Sequence, residues 1–366
     1  MRATVLTTLL MAILSGGACH TGSGAGGAAV RELQPGAHTA SGTTGCAIPA
    51  RLQWRSTGPL VTAVPDAGHA IVSIKDPTVV YFNDQWHVYA TTADVAGHWS
   101  MVYLHFGDWS QAGSARPYYM SDNPVFAGDY HAAPELFYFT PQNKWYLVYQ
   151  SGPPTYSMTD DPSKPNTWSP PTTFFAEEPS VVTSNQGAGG WLDFWVICDA
   201  TDCYLFFSDD NGNWYRSQTT VQDFPAGFGK TAIVMHDPIG HNLFEASHVY
   251  KLSGTSEYLA LIEAIGPTGH RFFRSWIADT LVGSWASLAD TWAEPFVGLN
   301  NVSFAPGASA WTRDISHGEM IRDGYDETLT VDPCHLRFVY QGVDPAKTNV
   351  GYSQLPYQLG LLSRVK

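Results

Sequence analysis

Asp76, Glu135, Asp193, Glu245 and His317 each stand in the polar head of an otherwise apolar segment. The segments are "KDPTVVYFNDQWHVYATT", "APELFYFTPQNKWYLVYQ", "LDFWVICDATDCYLFFSDD", "FEASHVYKLSGTSEYLALIEA" and "SHGEMIRDGYDETLTVDPCHLRFVYQG". An acid that must be buried is costly unless paired, and acids brought together raise one another's pKa. Such a set suits general acid–base work: one carboxyl stays protonated to help an oxygen depart, and another stays ionised to activate water or attack. A third acid can hold those two pKa values apart. Bland readings exist for each residue: Asp76 before Pro77 also suits a turn, and His317 also suits a hydrogen-bonded core histidine. Glu245 in "NLFEASHVY" is the hardest to explain structurally.

The elements that would position these residues are strands. Short runs of Val, Ile, Tyr, Phe and Trp recur between Gly, Pro, Asn and Asp, and no long helix-period segment stands out beyond the N-terminus. The chain reads as all-β. The five segments share one plan, a polar head, a strand, a turn and a second apolar strand, repeating at roughly 50 to 70 residues, about one four-stranded blade. A five-bladed β-propeller is therefore expected, with a β-sandwich as the alternative. In a propeller the first strands line the central channel, so their heads converge at one mouth. The second strand returns there, which puts Thr91, Gln150, Ser151, Glu263, Tyr340 and Gln341 near the same cavity, and the following loop adds Arg271. Lys75 adjoins Asp76. No Ser/His/Asp arrangement, phosphate-cradling glycine loop or zinc signature is present.

The 366 residues carry a net charge of −14, with 44% apolar and 13% aromatic content. That suits a large buried core and leaves no polybasic surface for nucleic acid. "MRATVLTTLLMAILSGGAC" puts Arg2 before an apolar run and small residues, the layout of a signal peptide over 1–19. Export is expected. Cys19 ahead of "HTGSGAGGAA" also fits a lipoprotein signal with a lipid anchor, although Gly16 departs from the lipobox. Residues 20–45 read as a Gly/Ala/Ser-rich linker, and 46–366 as the folded domain. In an oxidising compartment four cysteines can pair: Cys198 and Cys203 flank a short turn, and joining Cys46 to Cys334 would tie the domain's ends together. Free buried thiols are the alternative.

Carbohydrate chemistry fits an acid cluster among abundant Trp and Tyr. The motifs "RLQWRSTGPL", "SIKDPTVVYFNDQWHVYATT", "CYLFFSDDNGNWYRS", "NLFEASHVYKL", "RFFRSW", "WTRDISHGEMIR" and "LPYQLGLL" together resemble glycoside hydrolase family 62, the α-L-arabinofuranosidases that remove arabinose from xylan. The resemblance implies a five-bladed propeller with Asp76 as catalytic base, Glu245 as general acid and Asp193 as the residue that orients the acid and adjusts its pKa. It also implies Lys75 as a sugar ligand and His317 as the holder of a calcium ion in the channel. Three positions depart from the family pattern. Ser151 replaces a customary Trp, Glu135 stands where a small hydroxyl residue is usual, and Phe194 follows Asp193 where an amide is common.

The expectation is thus an exported, monomeric, inverting enzyme acting on arabinoxylan, with no nucleic-acid or protein partner implied. Gln150, Glu263, Arg271 and Tyr340 would bind substrate beside Lys75. Two alternatives stand: a related propeller hydrolase acting on arabinan or xylo-oligosaccharides, and a non-catalytic sugar-binding propeller.

Overall fold

The computed structural model describes residues 46–128, 130–304 and 310–365. The expected signal, linker and Cys19 lie outside them. The described chain is nearly all strand, in five separate sheets. It is a five-bladed β-propeller, as the repeat predicts.

Blade 1 runs Ile71–Phe82, Gln85–Asp94, Trp99–Phe106 and Tyr118–Tyr119. Blade 2 runs Ala132–Phe139, Lys144–Gln150, Pro154–Thr159 and Thr172–Thr173. Blade 3 runs Leu192–Cys198, Asp202–Ser208, Asn213–Thr220 and Gly229–His236. Blade 4 runs Glu245–Leu252, Tyr258–Ile265, Arg271–Ala278 and Ala286–Ser287, with Thr330–Val331 added in parallel to its first strand. Blade 5 is built from both ends of the domain: Ser316–Met320, Arg337–Gly342 and Gln358–Arg364 pair in turn, and Trp54–Ser56 adds to the last of them. That pairing closes the ring non-locally.

Two disulfides support this layout. Cys46 bonds Cys334 across 288 residues of sequence, beside the closing blade, and Cys198 bonds Cys203 within the first hairpin of blade 3. Aromatic side chains fill the space between blades, with Trp54, Trp145 and Trp214 fully buried. Most of the tryptophans therefore serve the core.

Every first strand carries one extra residue near its start. The pairing jumps between Lys75 and Thr78, Ala132 and Glu135, Leu192 and Trp195, Glu245 and His248, and Ser316 and Gly318. The bulged residues Asp76, Ala133, Asp193 and Ala246 have left-handed backbone, with φ from 47° to 55°. Four non-glycine residues there are uncommon, and bulges of this kind re-aim side chains next to active sites.

These bulges correct the alignment read from sequence. Asp76, Ala133, Asp193, Ala246 and His317 are equivalent. Glu245 stands one residue before its bulge, in the row of Lys75, and Glu135 stands two residues after, in the row of Thr78. The apolar runs alone could not reveal an insertion that leaves their pattern intact.

Candidate active site

Each bulge leaves a backbone N–H without a strand partner, and a side chain of a neighbouring blade accepts it. Asp76 N donates to Gln341 Oε1 at 2.5 Å, Ala133 N to Thr91 Oγ1 at 2.7 Å, Asp193 N to Gln150 Oε1 at 3.0 Å, and His317 N to Glu263 Oε2 at 2.6 Å. The acceptors in these four cases hold one row on the second strands. Blade 3 offers Ser208 in that row, and there the Asp193 carboxylate itself accepts from Ala246 N at 2.7 Å. The result is a closed ring of blade-to-blade hydrogen bonds around the mouth, and Asp193 is the one acid that both occupies a bulge and caps the next.

His317 Nδ1 lies 3.4 Å from Asp76 Oδ1 and 3.7 Å from Asp193 Oδ2, so three bulge residues from three blades meet. Lys75 Nζ is 3.5 Å from Asp76 Oδ2, and both side chains are buried. Burial works against the Asp76 carboxylate, but Lys75, His317 and hydrogen bonds from Thr91 and Lys75 outweigh it and hold its pKa below the ordinary aspartate value. Asp193 goes the other way. Burial lifts it to about 6, with His317 opposing and Glu245 and Asp76 adding to the rise. Two aspartates at equivalent positions thus differ in pKa, and the lysine beside only one of them is the largest influence that favours its ionised form.

Glu245 and Glu263 stand opposite each other on adjacent strands of blade 4, and one nitrogen of Arg271 donates to both carboxylates. Glu263 is fully buried and also accepts from Ser316 Oγ, and burial raises it to about 7 against the pull of Arg271. Phe244 lies under the Arg271 guanidinium at 4.6 Å. Gln150 and Glu263, expected to bind substrate, thus each commit an oxygen to the ring.

Two expectations fail on geometry. Tyr340 is fully buried away from the cavity: its hydroxyl meets Ser56 Oγ at 2.7 Å and its ring packs on Trp311. Strand alternation turns Gln341 toward the site and Tyr340 out of it. Glu135 lies deeper in the channel, where its Oε2 accepts from Val196 N at 2.6 Å.

Sequence reasoning missed an aromatic wall. Lys75 Nζ sits 3.8 Å over the Trp99 ring and 5.1 Å from that of Tyr352, and Trp99 also neighbours Tyr130, whose hydroxyl meets Gln150 Nε2. Tyr352 comes from the turn before the last strand, and Glu245, Arg271 and Asp76 act on its hydroxyl. These aromatics belong to no repeat, so periodicity carried no signal for them.

A calcium ion takes six to eight oxygen ligands. Among the described residues no group of three or more His, Cys, Asp or Glu is arranged to hold a metal. His317 Nδ1 faces the Asp76 and Asp193 carboxylates at 3.4 and 3.7 Å. The donor set fits only an ion that keeps most of its water.

The family model described as Glycosyl hydrolase family 62 matches residues 53–363. The chain belongs to glycosyl hydrolase family 62. The α-L-arabinofuranosidase C of Cellvibrio japonicus (strain Ueda107) is 46% identical over 321 residues, which are 87% of this chain and 48% of that relative. The chain therefore spans about half the length of that relative. The catalytic domain of a Coprinopsis cinerea GH62 α-L-arabinofuranosidase superimposes with a TM-score of 0.83 at 48% identity, covering 87% of this chain and 98% of that one. A Podospora anserina α-L-arabinofuranosidase solved with cellotriose gives 0.83 at 45% identity, covering 87% and 98%. A GH62 hydrolase solved with xylotriose gives 0.82 at 43% identity, covering 86% and 98%.

Proposed function

We propose that this family 62 chain is an exported α-L-arabinofuranosidase that releases arabinosyl side groups from arabinoxylan by single displacement. The observation that carries the reading is the opposite tuning of two equivalent aspartates at one channel mouth, Asp76 downward and Asp193 upward. Asp76, ionised beside Lys75, would take a proton from water as that water attacks the anomeric carbon. Glu245 would give its proton to the departing xylosyl oxygen. Asp193, bonded to the backbone of Ala246 directly after Glu245, would fix the strand that presents the acid. Lys75 and Arg271, with Trp99 and Tyr352, would hold the arabinosyl ring.

Inversion requires room for a water between base and sugar, which a separation of about 6.5 to 9.5 Å between the two carboxyl groups provides. Opposed placement on blades 1 and 4 is in keeping with that. A calcium ion at His317 would be bound by one imidazole and water, and would supply positive charge to the site. A melting curve with chelator and then with added calcium tests for it.

Asp76→Asn and Glu245→Gln should each reduce arabinose release from arabinoxylan by roughly 10²- to 10⁴-fold in protein shown by circular dichroism to be folded. Full activity in either variant would sink the assignment. Ser151, half-buried at the rim in place of a customary Trp, keeps linear arabinan as a second substrate class. Product analysis on the two polymers decides between them.

A further inference from the structure

Asp210 takes no part in the mechanism above, yet it reaches the acid. It lies in the turn between the second and third strands of blade 3, two residues after Ser208, in left-handed backbone with φ 57°. The preceding residue clamps that turn: Asp209 Oδ1 accepts from Asn211 N at 2.8 Å and Asn213 N at 3.1 Å, and Oδ2 from Asn213 Nδ2 at 2.6 Å and Tyr215 OH at 2.8 Å. Gly189 packs against the same turn so closely that a Cβ would lie 1.7 Å from Asp209 O. Asp210 is thereby held inward with its side chain against that of Glu245.

The contact is between two acceptors. Asp210 Oδ1 is buried and no protein donor reaches it, a costly state for a carboxylate and an ordinary one for a carboxylic acid, which can itself donate. The charged groups that face it are Glu245, Asp193 and Arg271. Burial, then Glu245 and Asp193, push Asp210 well above the ordinary aspartate range, with Arg271 opposing.

We propose that Asp210 and Glu245 hold one proton between their carboxyl groups, and that Asp210 is the positioning residue that keeps the general acid loaded for the natural substrate. When Glu245 gives that proton to the departing sugar oxygen, both carboxyl groups are left ionised beside Arg271, and one proton from solvent reloads the pair before the next turnover. Like charges this close resist double ionisation, so the pair titrates as a unit and keeps its last proton to higher pH than either group alone. The proposal rests on Glu245 being the general acid.

The test compares Asp210→Asn with the parent on arabinoxylan and on 4-nitrophenyl α-L-arabinofuranoside, whose leaving group needs no protonation. Asn tolerates the left-handed backbone and leaves the Asp209 clamp in place. The expected result is an alkaline limb of kcat/KM on arabinoxylan displaced downward by about one pH unit or more, with a much smaller loss on the aryl substrate. An unmoved alkaline limb, or equal losses on both substrates, would overturn the proposal. Glu245→Gln run in parallel separates the two failures. If it too retains arabinoxylan turnover the assignment of the acid is wrong, and if it loses that turnover while Asp210→Asn keeps its limb, only the role of Asp210 is wrong.

Discussion

Two polar rings circle the channel, one at the mouth and one below it, and the acids proposed above for chemistry lie at the upper one. In the lower ring Thr78 Oγ1 accepts from Leu136 N, Glu135 Oε2 from Val196 N, Tyr250 OH from Met320 N and Glu319 Oε2 from Val79 N, while Trp195 Nε1 donates to Val249 O. Buried Arg322 joins this ring, donating to the Val79 and Leu136 carbonyls and approaching Glu319 to 2.7 Å without hydrogen-bond alignment. Both rings stitch neighbouring blades with buried side chains. The difference is the backbone: the upper ring runs through bulges that turn Asp76 and Asp193 into the cavity, and the lower ring runs through regular strand.

The sharpest way to break this comparison is to neutralise one acid from each ring. Glu245→Gln should cost roughly 10²- to 10⁴-fold in kcat on arabinoxylan, whereas Glu135→Gln should leave kcat unchanged, because an amide oxygen can still accept from Val196 N. Steady-state kinetics on the folded variants measures both. A large loss of kcat in Glu135→Gln would merge the two rings into one site.

Removing the cation from the lower ring should act on stability instead. Arg322→Leu leaves Glu319 buried without its charge partner, at a cost of roughly 3 to 5 kcal/mol, read as a lower urea midpoint. Turnover per folded molecule should stay near that of the parent. A variant as stable as the parent would show that the guanidinium is not what balances Glu319.

Much of this was legible in the sequence, and the reasons are physical. Alternating strands and a recurring head gave five blades, since each blade must bury the same faces. The meeting of Asp76, Asp193 and His317 follows from their equivalent positions in that repeat, while Glu245, one residue before its bulge, is singled out by the family resemblance. What the pattern could not show is the one-residue bulge, which moved Glu135 from the mouth to the lower ring. Tyr340 was misplaced because adjacent strand residues point to opposite faces, and only the register tells which of Tyr340 and Gln341 turns inward. Trp99 and Tyr352 lie outside the shared plan, and Asp210, the last residue of the third segment, follows its second strand in a turn, so their arrival at the site is a matter of tertiary structure.

The contrast between the two aspartates of the upper ring can be sharpened through pH. Asp76 is held below the ordinary 3.8, so the base stays ionised, and the acid limb of kcat/KM should lie below that pH, with activity falling as pH drops through it. Burial alone would raise Asp76, so Lys75→Met should move the limb upward past 3.8, by about one unit or more, with circular dichroism at each pH confirming that the fold persists. An unmoved limb would assign the tuning of Asp76 to His317 and Thr91 rather than to Lys75.

The smallest effects come from a matched pair. Thr91 and Thr78 each join blade 1 to blade 2 by accepting a backbone N–H, at 2.7 Å from Ala133 and 3.0 Å from Leu136. Replacing either by Val keeps the shape and strands one buried donor, so each should lose about 1 to 3 kcal/mol in chemical unfolding. Their second bonds differ: Thr91 reaches the Asp76 carboxylate, and Thr78 reaches Glu319. Thr91→Val should therefore also raise the acid limb of activity, because Asp76 loses a donor that favours its ionised form, while Thr78→Val should leave the pH profile in place. Equal pH profiles in the two variants would mean that the upper ring, like the lower, acts only as stitching at this point, and that Lys75 and His317 suffice to keep the base ionised.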